Sequence, residues 1–425
     1  MTRRQAVIAD TMARKPNPVG WLARSPRRAF LAIFLVTVAV QGFLLTLVSE
    51  RHIRPHTRYE ITAVAMALYE RGEFADPYCL PTGPTAHMPP FFPAFMALVY
   101  HLFGPTLTAG YVIWWFAALS FGFMYGMTPW LAGRLGLRPE AGVLGGLAGA
   151  LLPRFPPYAE ALTAVAIGLT LAAFVRRWGA GGTSPSGSLL LGLAFGAAFH
   201  VNPTLLPVVL GCVLFELWWI REPRRWRDPA IILLGATLAC VPWTWRNHST
   251  LHGLFFIRSN LGLELRMGNH EGAGGHLDIS ARRGTERHPR TKEDEARRVQ
   301  ELGELAYMRA AGREALDWIA GHPIAFLRLT GSRIVQFWFG PLHALEVAAL
   351  ITLLTALAAC GAVRAWPGLT TPQRAALVIP LALYPLIHYV VGYEERYRMP
   401  LEGLLLLLAG ACVWRQEARP PDRTP

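Results

Sequence analysis

Clusters of arginine cut this chain into apolar runs, and that alternation leaves it few ways to fold. The runs lie at 29–48, 106–130, 141–155, 157–175, 188–201, 203–220, 229–245, 343–363, 375–391 and 401–414. Each approaches the roughly 20 apolar residues that a helix needs to cross a bilayer. Backbone polar groups in lipid must bond within their own segment, so such runs become helices. With 52% hydrophobic and 16% charged residues among 425, the composition is too apolar for a soluble domain. The expectation is an all-α polytopic membrane protein with about ten transmembrane helices.

Charge sets the orientation. Arg3, Arg4, Arg14, Lys15, Arg24, Arg27 and Arg28 precede the first run, which is too long for a signal-peptide core and lacks a small-residue cleavage site, so it reads as a retained anchor with its tail inside. Arg134 and Arg138, Arg176 and Arg177, Arg221 to Arg227, Arg364 and Arg374, and Arg415 to Arg423 fall on the same side. Both termini are then cytoplasmic. The divisions are a basic tail (1–28), a transmembrane module (29–245) holding the first outer loop (51–105), a large outer loop (246–342), C-terminal transmembrane helices (343–414) and a tail (415–425).

The formal charge of +13 lies between spans and in the large loop, with no aromatic-interleaved basic stripe. That points to lipid headgroups and phosphates and away from nucleic acid. Of five cysteines only Cys79 falls in an outer loop, which gives no disulfide framework and no CxxC metal site.

The first outer loop is the main site candidate. Ile61, Val64, Ala65 and Leu68 recur at helical spacing between a capping Thr57 and a terminating Gly72, the pattern of an amphipathic juxtamembrane helix. Glu60 in its first turn has two readings. Thr57-Arg58-Tyr59-Glu60 has capping-box spacing, in which the glutamate satisfies backbone N–H groups; alternatively its carboxylate turns into a cavity roofed by the loops. On spacing alone the cap is the better reading. Asp76 is a second acid, in an Asp-Pro turn signal, and His87 precedes the stiff Pro89-Pro90 pair, either as a loop hydrogen-bonder or as a phosphate ligand.

Other candidates lie at the outer ends of later spans. Arginine forks can hold a phosphate, which nominates Arg246, Arg396 and Arg398; interfacial anchoring beside Trp and Tyr is the competing reading. Glu160 ends a span near the same face. The Gly-rich segment 265–275 lacks Walker spacing and reads as a lid or substrate-facing loop, and 291–320 reads as polar surface helix with Glu293, Glu295 and Arg297 in solvated pairs.

Taken in order, Glu60, Gly72 to Tyr78, Thr82 to His87, Pro89 to Pro93, Pro242 to Asn247, Gly268-Asn269, His322-Pro323 and Arg396 to Pro400 resemble the GT-C superfamily of membrane glycosyltransferases, specifically family 39, the bacterial relatives of protein O-mannosyltransferases and aminoarabinose transferases. The resemblance implies transfer of a sugar from a polyprenyl-phosphate donor to a hydroxyl of a lipid, glycan or protein acceptor, at the periplasmic face of a bacterial inner membrane. It implies Glu60 as general base, with Asp76 as the competing acid. Arg396, Arg398, Arg246 and His87 would hold the donor phosphate, and Tyr59, Glu160 and Asn269 would contact substrate. No metal cluster is visible in the sequence, although some members of the superfamily bind a divalent ion. The chain has Met88 where the aminoarabinose transferases place a lysine. A transporter or flippase of lipid-linked sugars is the rival class, but it calls for midplane charges or paired repeats, and Glu216, Glu346 and Glu402 lie toward span ends. A non-catalytic scaffold is the third.

Overall fold

The computed structural model describes residues 17–57, 59–153, 158–221 and 224–414. The tail cations Arg3 to Lys15 and Arg415 to Arg423, and Arg58 of the expected capping box, lie outside them. Among the described residues every regular element is helical, with two isolated β-bridges besides.

Five helices are long and apolar enough to cross a membrane: Pro26–Leu47, Leu107–Arg134, Ala159–Gly179, Arg225–Leu251 and Leu345–Gly368. The other five expected runs form shorter or broken elements. Run 141–155 becomes Pro139–Ala150, and 188–201 and 203–220 become Pro185–Val201 and Leu206–Trp219 behind a 3₁₀ turn. Run 375–391 divides into Thr371–Leu383 and Leu386–Val390, because Pro385 lacks the N–H that would continue the ladder. The span expected at 401–414 is Met399–Val413, in which every residue from Met399 to Cys412 is buried.

That last helix is the centre of the molecule. It packs against Leu345–Ala365, Pro139–Ala150 and Tyr158–Gly179, and glycine permits the closest approaches: a Cβ at Gly361 would lie 1.8 Å from the Leu408 carbonyl oxygen, and one at Gly410 2.1 Å from that of Ala141. Dispersion between closely packed backbones holds helices together where no hydrophobic force acts between them. Inside this core Tyr125 donates a 2.8 Å hydrogen bond to Glu402. At the Arg177 end of the helices, Arg177 forks onto Glu216 and also reaches Asp228 at 3.0 Å, all three being essentially inaccessible.

The helix Arg224–Leu251 runs past Arg246, so the large loop starts later than its composition suggests. It is a folded cap of five helices, Leu261–Gly268, Leu277–Arg282, Glu293–Leu302, Glu304–Gly321 and Pro323–Phe339. Its small core joins Leu263, Met267, Ala296, Val299, Tyr307 and Met308 to Tyr78 of the first loop. Glu295 is not a solvated residue: it is 1% exposed and takes hydrogen bonds from Arg266 and Tyr307. Glu293 and Arg297 do form an exposed i,i+4 pair. The Gly-rich segment is a joint rather than a lid, since Asn269 donates to the carbonyls of Leu265 and Val390.

Candidate active site

The juxtamembrane helix forms as its apolar spacing dictates, over Glu60–Arg71, ending at Gly72 with φ 70. Its N-cap is Tyr59, with extended backbone and no side-chain cap bond, so Glu60 is the first helical residue and the capping-box reading fails. The carboxylate accepts its own backbone N–H and faces His288 of the large loop, with 3.7 Å between Oε1 and Nε2. One ligand atom each of Glu60, His87 and His288 lie within 4.8 Å of one another. The Glu60 side chain is 24% exposed. Burial pushes its carboxyl above the ordinary range, opposed by its own backbone N–H and by the guanidinium groups of Arg290, Arg396 and Arg258.

His87 is 3% exposed. Its Nδ1 lies 3.2 Å from the Tyr78 hydroxyl, its N–H donates to Thr85 Oγ1, and its carbonyl takes the Arg258 Nε–H at 2.8 Å. Burial holds the imidazole well below its usual pKa, so it is neutral. It therefore stands in the site as a hydrogen-bonding group rather than a cation. His288 is held down to about 4, chiefly by burial, and is neutral as well.

The charges of three arginines act on Glu60, and sequence reasoning named only one of them. Arg396 is half-exposed, pairs with Glu394 at a 3₁₀ turn, and its charge also acts on Glu160 at the start of a membrane helix. Arg258 lies 3.6 Å from Glu264, and its charge reaches both Glu60 and Arg396. Arg290 donates to the carbonyls of Pro77 and Tyr78. His288, Arg258 and Arg290 sit in irregular stretches of the large loop, where no periodicity marks a residue's direction.

The other nominees are occupied elsewhere. Asp76, at φ 57, accepts 2.8 Å bonds from the N–H groups of Thr82 and Gly83 and pairs with Arg71; it clamps its own loop. Arg246 donates to the carbonyls of Thr85 and Phe74 and lies over the rings of Phe74 and Trp243. It lines an open cleft of about 460 Å³ with Leu68, Gly72 and Pro84, at the far end of the juxtamembrane helix from Glu60. Arg398 is 4% exposed and donates to Thr355, and Asn269 accepts from Arg333 in the joint described above. Glu160 is buried near Arg396, and Tyr59 is 62% exposed at the rim.

A cation bound by Glu60, His87 and His288 would need a lone pair on each. Arg290 N–H donates to His288 Nδ1 at 3.0 Å, so the proton of the neutral ring sits on Nε2, the atom that faces Glu60. The donor set as arranged does not fit a divalent ion.

Fold and site together define a helical membrane protein in which a half-buried carboxylate and two imidazoles meet where its first and large loops join, under the charge of three arginines. No family model, curated protein or solved structure matches the chain.

Proposed function

We propose that the chain is an integral membrane glycosyltransferase that moves a sugar from a polyprenyl-phosphate donor to an acceptor hydroxyl. The site faces the outer side of the bacterial inner membrane, and both termini are cytoplasmic. In this reading the short buried helices complete a bundle of about ten membrane-embedded helices. The observation that carries the proposal is the junction of the two outer loops, where the Glu60 carboxylate of the first faces His288 of the large one at 3.7 Å beside His87, within the field of Arg290, Arg396 and Arg258.

The chemistry is a single displacement. Glu60 removes the proton of the acceptor hydroxyl, the hydroxyl oxygen forms a bond to the anomeric carbon, and the bond from that carbon to the phosphate oxygen breaks with inversion. The leaving polyprenyl phosphate takes its extra charge into the field of Arg396 and Arg258, which need not reorganise to receive it. His288 faces Glu60, and His87 lies beside them as a further hydrogen-bonding group for the phosphate.

The test uses purified protein in nanodiscs with a labelled polyprenyl-phosphate sugar. Release of polyprenyl phosphate that depends on an added hydroxyl acceptor supports transfer. Movement of intact donor across a vesicle membrane without cleavage would replace the proposal with transport.

A further inference from the structure

Two histidines of the large loop share an arrangement. His276 Nδ1 accepts the N–H of Asp278, two residues on, at 3.1 Å, and His288 Nδ1 accepts the N–H of Arg290, also two residues on, at 3.0 Å. In a neutral imidazole whose Nδ1 is an acceptor, the proton lies on Nε2. Each Nε2–H faces a glutamate of another chain segment. His276 meets Glu395 at 3.0 Å, and His288 faces Glu60 across 3.7 Å. Burial opposes a charge on His276, yet Glu395 and Asp278 outweigh it and raise its pKa above the ordinary value; a second proton would have to take the Nδ1 lone pair that the Asp278 N–H already occupies.

These glutamates belong to the two segments on which the site depends. Glu395 lies beside Arg396 in the turn that the large loop also grips by backbone, through Leu277 N–H to the Tyr393 carbonyl at 3.0 Å. His276 is 1% exposed, and its ring lies against His343 and Tyr393. We infer that His276 and His288 are positioning residues, fixed by the backbone as neutral Nε2–H donors, through which the large loop aims the turn of Arg396 and the carboxylate of Glu60. The 3.7 Å separation is long for a hydrogen bond, as catalytic contacts commonly are before substrate binds. The same lock keeps divalent ions out of both histidine–glutamate clusters, since a metal at Nε2 would have to displace the proton.

This inference rests on the transferase reading for its kinetic consequence but not for its structural test. Asparagine can replace Nδ1 as acceptor of the i+2 N–H, as in an Asx-turn, but it is too short to reach the glutamate. Glutamine carries an N–H donor farther out and gives up the local lock. Nitrogen-15 NMR of histidine-labelled protein in nanodiscs, assigned by loss of signal in His276→Asn and His288→Asn, should show both rings as the neutral Nε2–H tautomer, unmoved by added Zn²⁺. An Nδ1–H tautomer, an imidazolium at neutral pH, or a Zn²⁺-induced shift overturns the inference whether or not the protein is active.

In the donor assay His288→Asn should lower kcat, and His276→Asn should raise the donor KM, each roughly tenfold to a hundredfold, the range for loss of a hydrogen bond to a charged group. The glutamine variants should lose less. Glutamine variants weaker than their asparagine counterparts would assign both histidines to local loop structure. The expected tautomers in a protein with no transfer activity would leave this arrangement standing and remove the proposed function alone.

Discussion

Arg258 donates its Nε–H to the carbonyl oxygen of His87, at 2.8 Å and across 171 residues of sequence. One bond thereby fixes an arginine of the large loop and a histidine of the first loop on the same wall of the site. Buried Glu304 supports the junction, accepting from Ala86 N–H at 2.8 Å and from the hydroxyls of Ser259 and Thr85.

Glu60→Gln should lower turnover by roughly 10²–10⁴-fold, the usual contribution of a general base, with the protein still folded and still binding donor. Asp76→Asn is the contrasting variant. It keeps the oxygen that accepts from Thr82 and Gly83, and asparagine tolerates positive φ, so turnover should stay near wild type. An inactive Asp76→Asn beside an active Glu60→Gln would move the chemistry to Asp76.

Arg396→Lys and Arg258→Lys should each cost about 2–4 kcal/mol of transition-state stabilisation, because an ammonium cannot reproduce a planar fork. Arg398→Lys should leave donor kinetics unchanged, since its guanidinium is turned to Thr355. Steady-state rates with the donor lipid read both. Loss of turnover in Arg398→Lys alone would reverse the assignment.

Burial raises the pKa of Glu60, so the folded protein holds that proton more tightly than the unfolded chain. Its contribution to stability is therefore greatest at low pH and is lost as pH rises through the folded pKa. Activity runs the other way. The acidic limb of the kcat/KM profile should lie above the ordinary glutamate value of about 4.3, and should vanish from the residual activity of Glu60→Gln.

Arg177→Ala leaves Glu216 and Asp228 buried without their shared partner. Removing one member of such a group costs about 3–5 kcal/mol, visible as a fall in thermal midpoint in detergent. Replacing Arg177 and Glu216 together by apolar residues of similar size should restore much of it.

Cys79 is exposed, whereas Cys212, Cys240 and Cys412 are buried and Cys360 partly so. A membrane-impermeant thiol reagent should label Cys79 first in intact cells. Labelling only after the membrane is opened would place the first loop inside.

The sequence made the helices legible and their roles less so. Apolar spacing gave the juxtamembrane helix and its Gly72 end, because both depend on neighbours along the chain, but it placed the start at a Thr57 cap where the structure begins the helix at Glu60 behind Tyr59. It could not separate Met399–Val413, wrapped by other helices, from a helix facing lipid, since both are apolar all round. In the site, Glu60, His87 and Arg396 were within reach of motif reasoning. Arg246 and Arg398 had the same credentials, yet Arg246 lies by Leu68 and Gly72 at the other end of the helix from Glu60 and Arg398 is turned to Thr355, and nothing local marks that difference. His288, Arg258 and Arg290 acquire meaning only when the large loop closes on the first, and no local pattern encodes that closure.

The shared core of Tyr78 with the large loop ties the site to the order of synthesis. Glu60 leaves the ribosome first, its neighbours Arg258 and His288 follow about 200 residues later, and Arg396 more than 100 residues after those. At roughly 5–20 residues per second, the nascent protein spends tens of seconds in the membrane with its acid in place and its guanidinium partners unmade. A chain cut before Arg396 would also lack Met399–Val413, the helix around which the others pack, so the last guanidinium of the site and the centre of the fold are completed together.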